Sequence, residues 1–113
     1  MINDNNNIEN IIKNIPNMIS KSKDILSKIN IIGESGAGLV KVKLDGKKNL
    51  LNLKIDSSLM KEDKFIIEDL VSSAINNANK KVDIEINNKM LNMMHEMGIP
   101  SNFISMIPFI NSK

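Results

Sequence analysis

Residues 40–55 read VKVKLDGKKNLLNLKI, and this stretch decides the fold. Apolar and charged residues alternate from Val40 to Asp45, which predicts a strand with one buried face. A second alternating run ends at Ile55, and the Asp-Gly pair at 45–46 is a hairpin turn signal. The sequence therefore predicts two antiparallel strands joined by a tight turn.

A short third strand is predicted just before this hairpin, over residues 31–35, and the Gly-Ala-Gly segment at 36–38 would join it to the next strand. The glycine cluster also invites a phosphate-cradle interpretation. It lacks the Gly-Lys-Ser/Thr ending of a nucleotide-binding loop, however, and it runs into a strand rather than opening a helix. We therefore favour a bend or bulge in the sheet.

Helical periodicity flanks the sheet on both sides. An amphipathic helix of about four turns is predicted from Asn17. Residues 1–16 are Asn-rich with isoleucines at helical spacing, and they are expected to be a frayed, kinked or disordered start because Pro16 removes an amide donor. A long helix is predicted from Lys64, capped by Asp63. Its inward stripe comprises Ile67, Val71, Ala74, Ala78, Val82 and Ile86.

Methionines carry this stripe three turns further, through Met90, Met93, Met94 and Met97, before Gly98 and Pro100 signal a stop. We expect one α-β-β-β-α domain over residues 17–98 and a flexible or draped tail over 99–113. The expected fold class is α+β, with an N-terminal helix, a three-stranded antiparallel sheet and a long C-terminal helix.

The composition of the chain limits the classes of protein to which it can belong. The 113 residues are 42% hydrophobic and 25% charged, which suits one globular domain. No apolar run approaches the roughly 18 residues that span a bilayer, and the N-terminus lacks signal-peptide features, so we expect a cytoplasmic location and no membrane partner. The absence of Cys excludes disulfides and thiolate chemistry.

Codon bias explains much of the remaining composition. Asn (18 residues), Ile (20) and Lys (15) have AT-rich codons, which makes individual Asn positions poor functional clues. All basic residues are Lys, and the net charge is only +2. Because guanidinium groups are absent, any anion must be bound by ammonium point charges.

No residue set predicts catalysis. His95 is the only histidine, so a metal site is disfavoured. The acidic pairs 62–63 and 68–69 suit the first turns of a helix, where carboxylates complement the helix dipole. With no nucleophile, base and orienting group in view, we expect no enzyme, no cofactor and no small-molecule substrate.

The motif GESGAGLVKV at 33–42, with EDLV at 68–71, resembles the YbaB/EbfC family of bacterial nucleoid-associated DNA-binding proteins. The resemblance covers residues 29–110 well and the first helix loosely. It implies a homodimer whose helices project like tweezers and which binds double-stranded DNA with limited sequence preference in the nucleoid. Pro16 and the Lys pair at 80–81, where Arg is common, depart from the family pattern.

The leading hypothesis is therefore non-enzymatic contact between lysines and the phosphates of double-stranded DNA. The selected lysines are Lys21, Lys23, Lys28, Lys80, Lys81 and Lys89. Homodimerisation is also expected on physical grounds, because Leu39, Leu50 and the methionines have no obvious internal partner. The alternative is a small protein-interaction module that docks through the Met-rich helix end and the tail with Phe103 and Phe109.

Overall fold

A computed structural model describes the backbone of residues 2–99 and the side chains of residue 9 and residues 11–99. The elements are helix α1 (Ile2–Lys28), strands β1 (Asn30–Ser35), β2 (Val40–Asp45) and β3 (Leu50–Ile55), a short 3-10 helix (Ser57–Lys61) and helix α2 (Lys64–Glu96). This order confirms the predicted α+β fold. Within the described part of the chain, no helix is long and apolar enough to cross a membrane.

The sheet is antiparallel, with β2 between β1 and β3. Val42 lies opposite Gly33 on one side and Leu53 on the other. The β2–β3 register shifts after Lys43, so that Leu44 pairs with Leu50. Such a bulge bends the strand locally and increases its twist.

The core lies between α2 and one face of the sheet. Three β2 side chains alternate into it, and three small residues of α2 meet them: Val40, Val42 and Leu44, with Ala74, Ala78 and Val82. Each of these six is at most 1% exposed. The predicted inward stripe of the long helix is therefore confirmed, and its outer members Ile67, Val71 and Ile86 pack at the margin of the core.

Close approach of α2 to β1 depends on Gly33. A Cβ at that position would lie 2.5 Å from both Cβ and the backbone nitrogen of Ala78, nearer than atoms can come. The Glu34 amide donates to Oδ1 of Asn77 at 3.1 Å, and the Ser35 hydroxyl donates to the carbonyl of Leu70. These contacts fix the helix against the edge of β1.

The predicted turns have specific local causes. Residues 36–38 adopt left-handed φ angles of 59°, 57° and 91°, which confirms a bend at the glycine cluster. In the β2–β3 hairpin, the Asp45 carboxylate accepts from the amides of Lys47 and Asn49 at 2.9 and 2.8 Å. A carboxylate that binds backbone amides in this way stabilises the turn.

The ends of the helices differ in how well they were predicted. Helix α1 begins at Ile2 rather than at Asn17 and contains Pro16, since an interior proline need remove only one hydrogen bond from a long helix. Helix α2 begins at Lys64 as expected. It is followed by Gly98 at φ 76°, with the amide of Ile99 donating to the Met94 carbonyl at 3.0 Å, a Schellman-type end.

The contacts divide the chain into two compact units, where the sequence analysis expected one domain. We call residues 26–86 the sheet unit, and the described residues 2–25 and 87–99 the helical unit. In the helical unit, Met90, Met93 and Met94 are buried, and the Ser22 hydroxyl lies 3.5 Å from the Met90 sulfur. The expected tail lies outside the described residues from residue 100 onward.

Candidate nucleic-acid interface

Three of the six selected lysines, Lys21, Lys23 and Lys89, are exposed in the helical unit. Lys21 and Lys89 line one open depression of about 360 Å³. Lys21 comes from α1 and Lys89 from α2, so the packing of the two helices within this unit brings together ammonium groups that are distant in sequence.

Acidic residues limit the positive potential of this depression. Asp24 and Glu96 also line it, so two carboxylates stand beside two ammonium groups. Asp24 and Lys89 both make interactions within the protein. The depression therefore presents mixed charge, and Lys21 and Lys23 are the better-placed cations of the helical unit.

The other three selected lysines lie in the sheet unit. Lys28 is in the last turn of α1, where a cation complements the helix dipole, and it makes an interaction within the protein. The Lys81 ammonium donates to the carbonyl of Ile32 at 3.2 Å and so braces β1 against α2. Since an ammonium has three donors, Lys81 retains two for another acceptor. Lys80 is exposed.

A second set of lysines was not selected from the sequence. The face of the sheet that points away from the core, here called the outer sheet face, carries Asn30, Ile32, Glu34, Lys41, Lys43, Asp45, Asn52 and Lys54. The sequence did indicate that these lysines lie on the solvent side of the sheet, because Lys41 and Lys43 alternate with the buried Val40 and Val42. Period-two alternation predicts exposure, but only the strand register places Lys54 directly opposite Lys41.

The core-facing side of β3 is largely uncovered. Leu50, Leu51 and Leu53, here called the leucine edge, are 49%, 51% and 41% exposed. Leu53 lies opposite the buried Val42 and therefore points to the same side of the sheet. The alternation correctly predicted the strand, and Leu50 is exposed in the single chain as expected. Leu51 and Leu53 are exposed as well, because β3 lies at the edge of the sheet.

Three of the four methionines in the stripe at the end of α2 are buried. Met90, Met93 and Met94 are only 3 to 4% exposed, so the expectation that they lack an internal partner is wrong for these three. The protein-interaction alternative required this stripe to be accessible. Phe103 and Phe109, which that alternative also used, lie outside the described residues.

Other candidates have structural explanations. His95 is exposed in the last turn of α2. Across residues 2–99, no group of three or more His, Asp or Glu side chains is arranged to hold a metal ion. Glu62 and Asp63 are exposed immediately before α2, where a carboxylate can complement the helix dipole. Glu68 and Asp69 are exposed beyond the first turn, which carries no acidic residue, so the expectation is wrong for this second pair.

Two turn carboxylates have shifted acidity. The pKa of Asp45 lies below its ordinary value because the Asn49 amide donates to it, with further donation from the Asn49 side chain and the Lys47 amide. The pKa of Asp56 is lowered by the hydroxyl of Ser58 and then by the Ser58 amide. Hydrogen bonds to the charged form explain both shifts, and both residues shape turns.

Solved structures share this architecture. The crystal structure of an uncharacterized protein from Helicobacter pylori superposes with a TM-score of 0.59 at 29% sequence identity, covering 74% of this chain and 98% of that one. The similarity places the chain in a class of small α+β proteins in which, along the chain, a three-stranded sheet follows one helix and precedes another.

Sequence relatives carry the assignment to a family. A nucleoid-associated protein of Hahella chejuensis is 44% identical over 78 residues, which are 69% of this chain and 72% of that protein. One from Coxiella burnetii is 43% identical over 70 residues, or 62% and 64% of the two chains. Residues 3–97 match the YbaB/EbfC DNA-binding family, and the chain belongs to that family.

Proposed function

We propose that this protein binds double-stranded DNA in the nucleoid, within the bacterial cytoplasm, with little sequence specificity and without catalysing a reaction. The observation that carries the proposal is the match to a DNA-binding family over residues 3–97. Relatives named as nucleoid-associated proteins support the cellular setting.

The proposed chemistry is contact between lysine ammonium groups and backbone phosphates. Such contacts release condensed counterions and do not depend on base identity. The absence of Arg removes the bidentate guanine contact that most often provides specificity in the major groove. Any sequence preference would then arise from the shape and deformability of the duplex.

A homodimer is the proposed assembly, with the leucine edge as its interface. Three exposed leucines on one strand form an apolar surface that continues a buried core. A two-fold interface would cover this surface in both copies and double the number of lysines available to one duplex.

The first experiment measures duplex affinity against salt, using unrelated fluorescent duplexes. We expect similar affinities across sequences and a steep loss between about 50 and 200 mM salt, because each phosphate contact contributes about −0.9 to the slope of log K against log salt. Absence of binding to every duplex at low salt, or affinity independent of salt, would contradict the proposal.

A variant tests the helix lysines. K21Q/K23Q/K80Q removes three exposed cations on α1 and α2, and we expect the salt slope to become shallower by about 2 to 3. The matched control K13Q/K61Q/K64Q removes the same charge from other exposed positions. Equal slopes for the two triple variants would show that net charge, rather than these lysines, governs binding.

A further inference from the structure

The outer sheet face presents concentrated positive charge. Lys41 and Lys43 stand two residues apart on β2, and Lys54 lies across from Lys41 on β3. Three ammonium groups therefore share this face with the Glu34 carboxylate, and Asp45 lies on the same face next to the hairpin turn. Of the three lysines, Lys43 is half-buried and the other two are exposed.

These ammonium groups are not used by the fold. With the residues the structure describes, Lys41, Lys43 and Lys54 form no side-chain hydrogen bond or ion pair, whereas Lys81 binds a carbonyl and Lys48 pairs with Asp83 at 2.9 Å. Glu34, although opposite Lys41, is not within ion-pair distance of it. The positive charge of this face is therefore available to an external anion.

The carboxylates near this face accept hydrogen bonds from backbone amides of their own turns. Asp45, at the end of β2, accepts from the amides of Lys47 and Asn49 in the hairpin turn, and Asp56, after β3, accepts from the Ser58 amide at 2.9 Å. Each carboxylate is turned toward backbone donors of its own turn. Neither forms an ion pair with Lys41, Lys43 or Lys54, so these ammonium groups are not held by the turn carboxylates.

The cross-strand pair of Lys41 and Lys54 has a further consequence. Like charges directly opposite each other destabilise a sheet, since their Cβ atoms are about 5 Å apart. Both side chains line an open depression of about 330 Å³ with Gly38, Leu39, Ile55, Asp56 and Ser57. The depression thus holds two ammonium groups and the one carboxylate of Asp56. An anion bound between the two ammonium groups would relieve their repulsion.

We propose that the outer sheet face is an additional contact surface for the phosphate backbone of double-stranded DNA, separate from the helix lysines. This inference rests on the proposed function. Lys41 and Lys43 are about 6.8 Å apart along β2, and a DNA strand carries one phosphate per 3.4 Å of helix axis. The three ammonium groups can therefore reach phosphates a few nucleotides apart.

The composition of the face favours this occupant over a protein. Protein interfaces have an apolar centre depleted in lysine, whereas this face has three lysines, two asparagines, two acidic residues and only Ile32 as a large apolar residue. Lysine and asparagine side chains both contact phosphates in protein–DNA complexes. The outer sheet face therefore has the charge and polarity expected of a phosphate-binding surface.

The test compares full-length K41Q/K43Q/K54Q with the control K13Q/K61Q/K64Q by fluorescence anisotropy on one short duplex across a salt series. We expect the sheet variant to have a salt slope shallower by about 2 to 3, because three phosphate contacts are lost, and the control to change by less than about 1. Thermal unfolding by circular dichroism should show the sheet variant at least as stable as the wild type, since the repulsion across β2 and β3 is removed.

The single variant K54Q keeps the inference testable if the triple variant does not fold, with an expected slope change of about 1. If the wild type binds duplex and the sheet and control variants have equal slopes, the inference is wrong while the proposed function stands. If the sheet variant binds duplex normally but loses binding to anionic phospholipid vesicles, the face belongs to a membrane surface instead. If the wild type binds no duplex at low salt, both proposals fail.

Discussion

Gly33 shows how one residue sets the distance between a helix and a sheet. Its missing side chain allows the backbone of α2 at Ala78 to lie against β1, and Asn77 then reaches the Glu34 amide. Gly98 has a different role, because nothing lies within 4 Å of the position a Cβ would take and only its φ of 76° requires glycine. Gly33 is therefore required for the packing of α2 against β1, whereas Gly98 is required for its backbone conformation.

We expect Gly33→Ala to lower the free energy of unfolding by about 3 kcal/mol, because the added methyl group must displace the backbone of α2. Gly98→Ala, as the control, should cost only about 1 kcal/mol, through left-handed strain alone. Urea denaturation followed by circular dichroism measures both. If Gly33→Ala lowers the free energy of unfolding by less than Gly98→Ala does, α2 can move away from β1 at little cost and the packing argument is wrong.

The turn carboxylates predict a pH dependence of stability. Because the folded-state pKa values of Asp45 and Asp56 lie below their ordinary values, their contribution to stability is complete above the unfolded pKa and disappears as the pH falls through the folded pKa. The wild type should therefore lose stability on acidification below about pH 5 more steeply than D45N/D56N. Thermal unfolding of both proteins from neutral to strongly acidic pH measures this difference. If the stability of the two proteins falls in parallel with pH, the prediction is wrong.

At the scale of the element, β3 is the most exposed of the three strands, and it has exposed residues on both faces. Its core-facing leucines are uncovered, and its opposite face brings Lys54 beside Lys41. A strand at the edge of a sheet with apolar residues exposed is prone to pair with another chain. In the proposed assembly, that chain is a second copy of the protein.

We expect L51S/L53S to weaken the homodimer by at least about a hundredfold, since each buried leucine contributes about 1.5 kcal/mol or more. Ile84→Ser is the control, because Ile84 is 60% exposed on α2 and outside the leucine edge. Sedimentation across a micromolar concentration series measures the change. Equal dissociation of the two variants would exclude the leucine edge as the interface.

At the scale of the whole molecule, the proposed function requires the homodimer and its lysines to act together. One protomer has a net charge of only +2, so its affinity for DNA depends on where the cations lie rather than on their excess. The wild type should sediment at about twice 12.6 kDa at micromolar concentration. A single species at 12.6 kDa would contradict the assembly and leave the family fold unaffected.

Local patterns were sufficient to predict the order of the elements. Alternation identified β2 and β3, glycines marked the bend and the end of α2, and the apolar stripe of α2 was correct through Ile86. These features depend on neighbours one to four residues away, which the sequence displays directly. The start of α1 differed from the prediction, because the helix continues through Pro16 to Ile2 instead of beginning at Asn17.

What the sequence alone determined is the fold class, the family and the restriction to lysine for anion binding. Only the tertiary structure decided which side chains are available. It buried the methionines, bound Lys81 to the Ile32 carbonyl, exposed the leucine edge and set Lys54 opposite Lys41. The reason is physical: exposure and charge proximity depend on strand register and helix packing, which join residues far apart in the chain.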